Sequence, residues 1–454
     1  MIYNCSKMKF HLVFLLLFLC YDVFAQDSKT KFDSIKNDSI LNGIKKVHDV
    51  QISTYPSNTP LEKVYKWRLE YIKNILETNA ILGNDSFSNY VNFIMKHIIE
   101  SNPRLDSMEL RYFISRSPIP NASSLGDGTF IINLGLIRKI NTEGQLAFIL
   151  CHEIAHFYLD HSNISVIDDF TKTNSKEYRE ELGSISLRKY GRYELLKSML
   201  KKNTYIEMSH SREFELEADS MGFTFFKNTN YDLHQSITCM DLLDSIDYYK
   251  FANKIDYNKT LSFSDYPFKN RWLNEENTLF SSYIKNDYWD RDSIKSHPNC
   301  DIRAGKLATL LMGNNKYPSN KFIQDSNNLI KLKRQLDIQF LESWIYYGDY
   351  GRALFLSLKN LEADTNNLSL VIMTSKILKL IHKSHINHTF SKHVDRPSNE
   401  NEVEYNQFLN LLDNIRLNEL ENISYYFHLT YLNNLKDNEI FVKNMNYFKK
   451  TIKE

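Results

Sequence analysis

Residues 143–159 read EGQLAFILCHEIAHFYL, and this stretch decides both the fold and the chemistry of the chain. Its apolar residues recur at three- and four-residue steps, with no Pro or Gly after Gly144, which predicts one continuous buried helix. Within this helix His152 and His156 are four residues apart, so both imidazoles project from one face. Two ring nitrogens at this spacing can bind a single zinc ion at about 2.0–2.1 Å.

Glu153 directly follows the first histidine of this pair. A carboxylate in this position flanks the metal and can accept a proton from its bound water, so Glu153 is the predicted catalytic base. A solvated helix face that carries three polar residues is the competing interpretation. Apolar neighbours such as Phe148 and Ile154 argue against it, because they make this the most apolar helix pattern in the chain.

A catalytic zinc needs a third protein ligand, and a second predicted helix offers one. Glu215 and Asp219 are four residues apart and share a helix face. If Glu215 binds the metal, Asp219 falls one turn further, where it can accept the second ring proton of a ligand histidine. An acidic helical run is usually a solvated face, but its pairing with the two histidines favours a metal site.

Four ordered motifs resemble metallopeptidase family forty-eight, which includes the CAAX prenyl proteases and HtpX-like peptidases. The resemblance covers about residues 60–310. The motifs are the His-Glu-Ile-Ala-His helix with His161 beyond it, the segment SREFELEAD at 211–219, the segment 121–136 that precedes the metal helix, and Ser296-His297-Pro298 with Arg303.

The resemblance implies a role for each site residue. His152, His156 and Glu215 would bind one zinc ion per chain, Glu153 would act as general base and acid, and Asp219 would orient a ligand histidine. The expected reaction is hydrolysis of peptide bonds without a covalent intermediate.

Three further expectations come from the same resemblance. The strand near residues 130–133 would bind a peptide by strand addition. His297 and Arg303 are candidates for gating or for stabilising the transition state. For His297 two interpretations are open: it approaches the metal in a resting state, or it caps a loop.

The first 25 residues are typical of a signal peptide. Lys7 and Lys9 precede an apolar run of about 11 residues, and cleavage is predicted after Ala25. Export to the periplasm, the cell envelope or the medium is therefore expected, with a lipoprotein attached through Cys20 as the alternative. No later segment approaches the roughly 20 apolar residues of a spanning helix, so membrane association would be peripheral.

The rest of the chain predicts a mainly α (α+β) fold. We expect a polar linker over residues 26–58, a gluzincin-like zinc peptidase domain with a small β-sheet over 59–315, and a helical C-terminal domain over 316–454. For the C-terminal domain, tetratricopeptide-like repeats and a plain helical tail are both open. The helices predicted in the peptidase domain cover 61–80, 86–100, 143–159, 176–202 and 209–228, and strands are predicted at 109–115 and 129–133.

Composition excludes several classes of protein. The formal net charge is +1, so the chain lacks the strong positive charge that is typical of nucleic-acid-binding proteins. Beyond the signal peptide the cysteines are Cys151, Cys239 and Cys300, too few for a disulfide framework.

These features favour a zinc metalloendopeptidase that acts on unfolded or misassembled proteins of the envelope, in protein quality control, with a protein partner on the C-terminal helices. Two alternatives are open. One is an envelope assembly or chaperone-like binding factor in which proteolysis is slow, gated or lost. The other is a zinc aminopeptidase, which uses the same helix motif with a downstream Glu.

Overall fold

A computed structural model describes residues 34–57, 59–83, 86–188, 192–246, 255–273, 300–312, 319–398 and 401–452. The predicted signal peptide and His297 lie outside these ranges. Within them, no helix has both the length and the apolar character needed to cross a membrane.

Up to residue 246, the described chain forms three α-helices, then a small three-stranded sheet, then six α-helices. They are α1 (Ser34–Ile52), α2 (Leu61–Glu77), α3 (Ser86–Glu100), β1 (Arg111–Ser115), β2 (Ala122–Ser124), β3 (Thr129–Asn133), α4 (Leu134–Lys139), α5 (Glu143–Tyr158), α6 (His161–Asn174), α7 (Lys176–Ser186), α8 (Arg192–Lys227) and α9 (His234–Ile246).

The elements described beyond residue 246 are helices. The helices are α10 (Tyr257–Thr260), α11 (Cys300–Met312), α12 (Ser326–Tyr346), α13 (Tyr350–Ala363), α14 (Leu368–Ile386), α15 (Phe390–His393), α16 (Val403–Asn414), α17 (Leu417–Leu435) and α18 (Glu439–Thr451). The predicted mainly α, α+β class is thereby confirmed.

The described chain divides into two compact units. One contains residues 34–246, 300–312 and 319–340, and the other contains 255–273 and 341–452. The division therefore differs from the boundary predicted at residues 315 and 316. Repeat character in the second unit stays a prediction.

Helix α8 runs unbroken across the position where two separate helices were predicted. The expected break between residues 202 and 209 does not exist, because no Gly or Pro interrupts the chain from Arg192 to Met221. The described break comes earlier, after α7. This continuity matters for the site, because α8 carries Glu215 and Asp219.

Residues 26–58 were predicted to be a polar linker, but Ser34–Ile52 within this segment form helix α1. The linker prediction is therefore wrong for the described part of the segment. Ile44 and His48 lie four residues apart on the buried face of α1, and Ile44 belongs to a core cluster that also contains Ile72 of α2. The many charged residues of the segment occupy the other faces of α1. A narrow apolar stripe was therefore enough to make it part of the folded unit.

A buried hydrogen bond fastens α1 to the turn between β2 and β3. His48 Nε2 lies 2.6 Å from Asp127 Oδ2, and the side chain of Asp127 is fully buried. The other carboxylate oxygen of Asp127 accepts a hydrogen bond of 2.9 Å from the backbone N–H of Thr129. This pairing satisfies the buried carboxylate and fixes the turn that precedes β3.

The sheet has the strand order β1-β3-β2, with β1 parallel and β2 antiparallel to β3. The strand near residues 130–133 is therefore central, and both of its edges are paired. This overturns the prediction that a peptide adds to it, since strand addition requires an open edge. The sequence did not reveal β2, a strand of three residues that occupies that edge.

Candidate metal centre

The N-terminus of α5 is built to hold the helix in place. The side chain of Thr142 accepts a hydrogen bond from Gln145 N, the usual N-cap arrangement. In the first turn the buried carboxylate of Glu143 accepts two hydrogen bonds, one of 2.6 Å from the Tyr231 hydroxyl and one of 3.1 Å from Ile323 N. An acidic group here also complements the positive end of the helix dipole, so α5 enters the core in a fixed direction.

Helices α5 and α8 approach each other closely at Gly222. A Cβ on Gly222 would lie 3.0 Å from His152 Cα, 3.1 Å from His152 N and 3.2 Å from the Cys151 carbonyl carbon. All three neighbours are backbone atoms, which cannot rotate away. The glycine therefore sets the helix separation that lets side chains from both helices meet.

This packing brings together the three side chains predicted as metal ligands. His152 Nε2 and His156 Nε2 are 3.0 Å apart. Glu215 Oε2 lies 3.4 Å from His152 Nε2, and Glu215 Oε1 lies 3.3 Å from His156 Nε2. In the described chain these three residues form a group whose ligand atoms lie within 4.8 Å of one another.

These separations fit a zinc ion. Ligand atoms bound at about 2.0–2.1 Å in a tetrahedral arrangement lie about 3.3–3.4 Å from each other. The two nitrogens and the carboxylate converge on a common point at nearly that spacing. Two imidazoles and one carboxylate are also a donor set used by catalytic zinc sites.

The second nitrogen of His152 faces Asp219. His152 Nδ1 lies 3.0 Å from Asp219 Oδ1. Burial by itself lowers the pKa of His152, but the carboxylates of Asp219 and Glu215 outweigh it and raise that pKa to about 10. Asp219 therefore lies where the four-residue spacing from Glu215 predicts, one turn along α8 and against a ligand histidine.

Arg303 of α11 holds both carboxylates. Its Nε and Nη2 donate to Asp219 at 2.7 and 2.8 Å, a bidentate contact, and its Nη1 lies 2.9 Å from Glu215 Oε2. The guanidinium keeps the pKa of Glu215 well below its usual range despite burial. Since Arg303 is only 2 % exposed, this geometry favours a positioning role over the predicted gating or transition-state role.

Glu153 lies beside the ligand histidines and is only 9 % exposed. Burial raises the pKa of its carboxyl group, while the neighbouring His152 and His156 act in the opposite direction. A carboxylate with a raised pKa is a better proton acceptor, as general bases in enzymes require.

His161 contacts the second ligand histidine. Its Nδ1 lies 3.0 Å from His156 Nδ1, and its Nε2 lies 3.2 Å from Glu217 Oε2. Burial and the neighbouring His156 lower the pKa of His161 to about 4, so its ring is neutral at neutral pH. Sequence reasoning assigned no role to His161 or Glu217; the only signal was the position of a further histidine just beyond the metal helix.

Replacing Gly222 by Ala tests the helix contact. We expect the added methyl group to separate α5 from α8 by a few tenths of an ångström, at a cost of about 1–3 kcal/mol. Over most of that range the cost exceeds the roughly 1 kcal/mol that Ala gains over Gly in a helix. Thermal unfolding and metal affinity should therefore both fall.

Gly183 in α7 supplies the matched control, because a Cβ built there has no atom within 4 Å apart from the neighbouring backbone of its own helix. Gly183→Ala should leave metal affinity unchanged and stabilise the protein slightly. An equal response of both variants would contradict the role given to Gly222.

Comparison with known proteins agrees with this site. Residues 88–310 match peptidase family M48, a segment that includes α5, α8 and Arg303. The resemblance predicted from the sequence is thereby confirmed over these residues. No curated protein gives a significant match to the chain.

Proposed function

We propose that this chain is a zinc-dependent metalloendopeptidase that hydrolyses exported or envelope proteins. The match of residues 88–310 to peptidase family M48 supports this proposal. One observation carries the proposal: His152, His156 and Glu215 converge on a single point beside the buried carboxylate of Glu153. Other zinc proteins share the ligands, but hydrolysis also needs such a base.

One zinc ion per chain is the proposed cofactor, held by His152, His156 and Glu215. When bound, it polarises the scissile carbonyl and lowers the pKa of its water toward about 7. Asp219 keeps the His152 ring oriented, and Arg303 holds Glu215 and Asp219 in place.

Glu153 performs the proton transfers. Its carboxylate accepts a proton from the attacking water, and the resulting carboxylic acid then donates that proton to the leaving amine. Burial raises the pKa of Glu153, which makes its carboxylate a better proton acceptor than an exposed one.

The outer edge of β2 is the proposed binding surface for the substrate backbone. Asn133 N donates to Asn121 O, and Leu125 N donates to Thr129 O, both at 2.9 Å. In an antiparallel ladder the intervening Ala122 and Ser124 then direct their backbone groups away from β3. An extended peptide paired there would be read mainly through its backbone, which suits unfolded and misassembled substrates.

We place this activity outside the cytoplasm, in the periplasm, envelope or medium. The apolar run that follows Lys7 and Lys9 supports this placement. A role in protein quality control, docking of a protein partner on the C-terminal helices and peripheral membrane contact belong to the same proposal. A binding factor with lost proteolysis is less favoured, since a degenerate site would be expected to lack a ligand.

Removal of the metal tests the proposal. We expect a strong chelator to abolish cleavage of unfolded casein by the purified protein, and about one equivalent of zinc to restore it. Sequencing of the product termini should reveal internal cleavage. Release of single N-terminal residues would identify an aminopeptidase instead, and cleavage that persists without metal would overturn the proposal.

A further inference from the structure

We propose that His161 and Glu217 form a relay that fixes the tautomer and the ring orientation of His156, as Asp219 does for His152. The inference rests on the proposed metal site. It assigns His161 as a positioning residue, since it touches a ligand and not the metal.

A left-handed turn brings His161 back to the metal helix. Helix α5 ends at Tyr158, α6 begins at His161, and Asp160 between them has φ of 60°, which Asp tolerates better than most residues. Both carboxylate oxygens of Asp160 accept 2.6 Å hydrogen bonds, from the Tyr55 hydroxyl and from Asn163 Nδ2. The turn is therefore held by Asn163 of α6 and by Tyr55, which lies far away in the sequence.

The hydrogen-bond partners of the two rings determine which ring nitrogens carry a hydrogen. A carboxylate oxygen of Glu217 accepts in its 3.2 Å contact with His161, so the facing His161 Nε2 carries a hydrogen. An imidazole whose hydrogen lies on Nε2 presents Nδ1 as an acceptor. His156 Nδ1 therefore carries the hydrogen of its 3.0 Å contact with His161 Nδ1. His156 Nε2 is thereby left with its lone pair toward His152 Nε2 and Glu215. This is the tautomer that a metal needs.

Packing keeps the relay ring from turning. The ring of His161 stacks on Phe214, with centroids 4.4 Å apart and planes 14° from parallel. Phe214 and Glu217 are three residues apart on α8, so one helix supplies both the stacking surface and the acceptor. A ring held on its face and at both nitrogens has a single orientation.

His161 and Glu217 differ in burial, so their loss should weaken metal binding to different extents. The side chain of His161 is buried, whereas that of Glu217 is 63 % exposed. Water can replace an exposed carboxylate as acceptor, but it cannot readily replace a buried ring nitrogen. Loss of His161 should therefore weaken metal binding much more than loss of Glu217.

Zinc affinity, measured by competition with a chromogenic chelator, tests this order. His161→Phe keeps the stacking on Phe214 but removes both nitrogens, and we expect about 10–100-fold weaker zinc binding. His161→Asn returns an acceptor near the Nδ1 position and should recover most of that loss. Glu217→Gln should weaken zinc binding less than about threefold. Glu213→Gln is its control, because it removes the same charge from α8 one turn earlier.

Further measurements distinguish a loss of the relay from a loss of the fold and from a failure of the proposed zinc site. Circular dichroism and thermal unfolding of the metal-free variants report whether the fold is intact, and the visible spectrum of the cobalt-substituted protein reports ligand geometry. Wild-type zinc affinity and an unchanged cobalt spectrum in a folded His161→Phe variant would overturn the relay. Failure of the wild-type protein to bind zinc would overturn the proposed function itself.

Discussion

Glu153→Gln is expected to lower the rate of peptide hydrolysis by about 10²–10⁴-fold while one zinc ion stays bound. The amide matches the carboxylate in size but cannot accept the proton of the attacking water. Because Glu153 is buried beside His152 and His156, bulk water does not easily replace it as a base. The measurement is kcat/KM on unfolded casein, together with the zinc content of the same preparation.

The zinc content decides how a loss of activity is interpreted. Loss of zinc together with activity would show that Glu153 supports the metal site and is not the base. Unchanged activity with zinc bound would show that another group takes the proton. With zinc bound and hydrolysis slow, the variant should also retain substrates, so proteins co-purified from its own compartment would identify its natural clients.

The sequence predicted the parts of the site that follow helix periodicity. His152, His156, Glu215 and Asp219 each lie four residues from a partner on a helix, and four residues is one turn, so their shared faces could be predicted without coordinates. The structure places all four within ion-pair distance of a partner residue.

The parts that depend on irregular backbone could not be predicted in this way. His161 reaches His156 only because Asp160 adopts a left-handed conformation, which no periodic pattern encodes. The three-residue strand β2 is too short to show alternation, so β3 appeared to be an available edge. Helix α1 was missed for a third reason: it buries so few residues that its polar composition dominated.

Arg303→Met is expected to destabilise the metal-free peptidase unit by about 3–5 kcal/mol, the usual effect of removing one partner from a buried ion pair. Met preserves most of the volume of the side chain but leaves the carboxylates of Asp219 and Glu215 without their cation. Hydrogen exchange of the amides of α5 and α8 measures this loss for the one unit, whereas a global unfolding midpoint would mix two units.

Arg138→Met provides the matched control. Arg138 also pairs with an aspartate, at 3.1 Å from Asp337, but both side chains are partly exposed, so the loss should stay below about 1 kcal/mol.

Adding zinc to Arg303→Met should recover part of the stability, because the ion supplies positive charge beside Glu215. Adding Asp219→Asn to Arg303→Met removes one of the two carboxylates that lost the guanidinium, so the double change should cost less than the sum of the two single changes. Strict additivity, or an Arg303→Met variant as stable as Arg138→Met, would mean that Arg303 does not hold the two carboxylates in place.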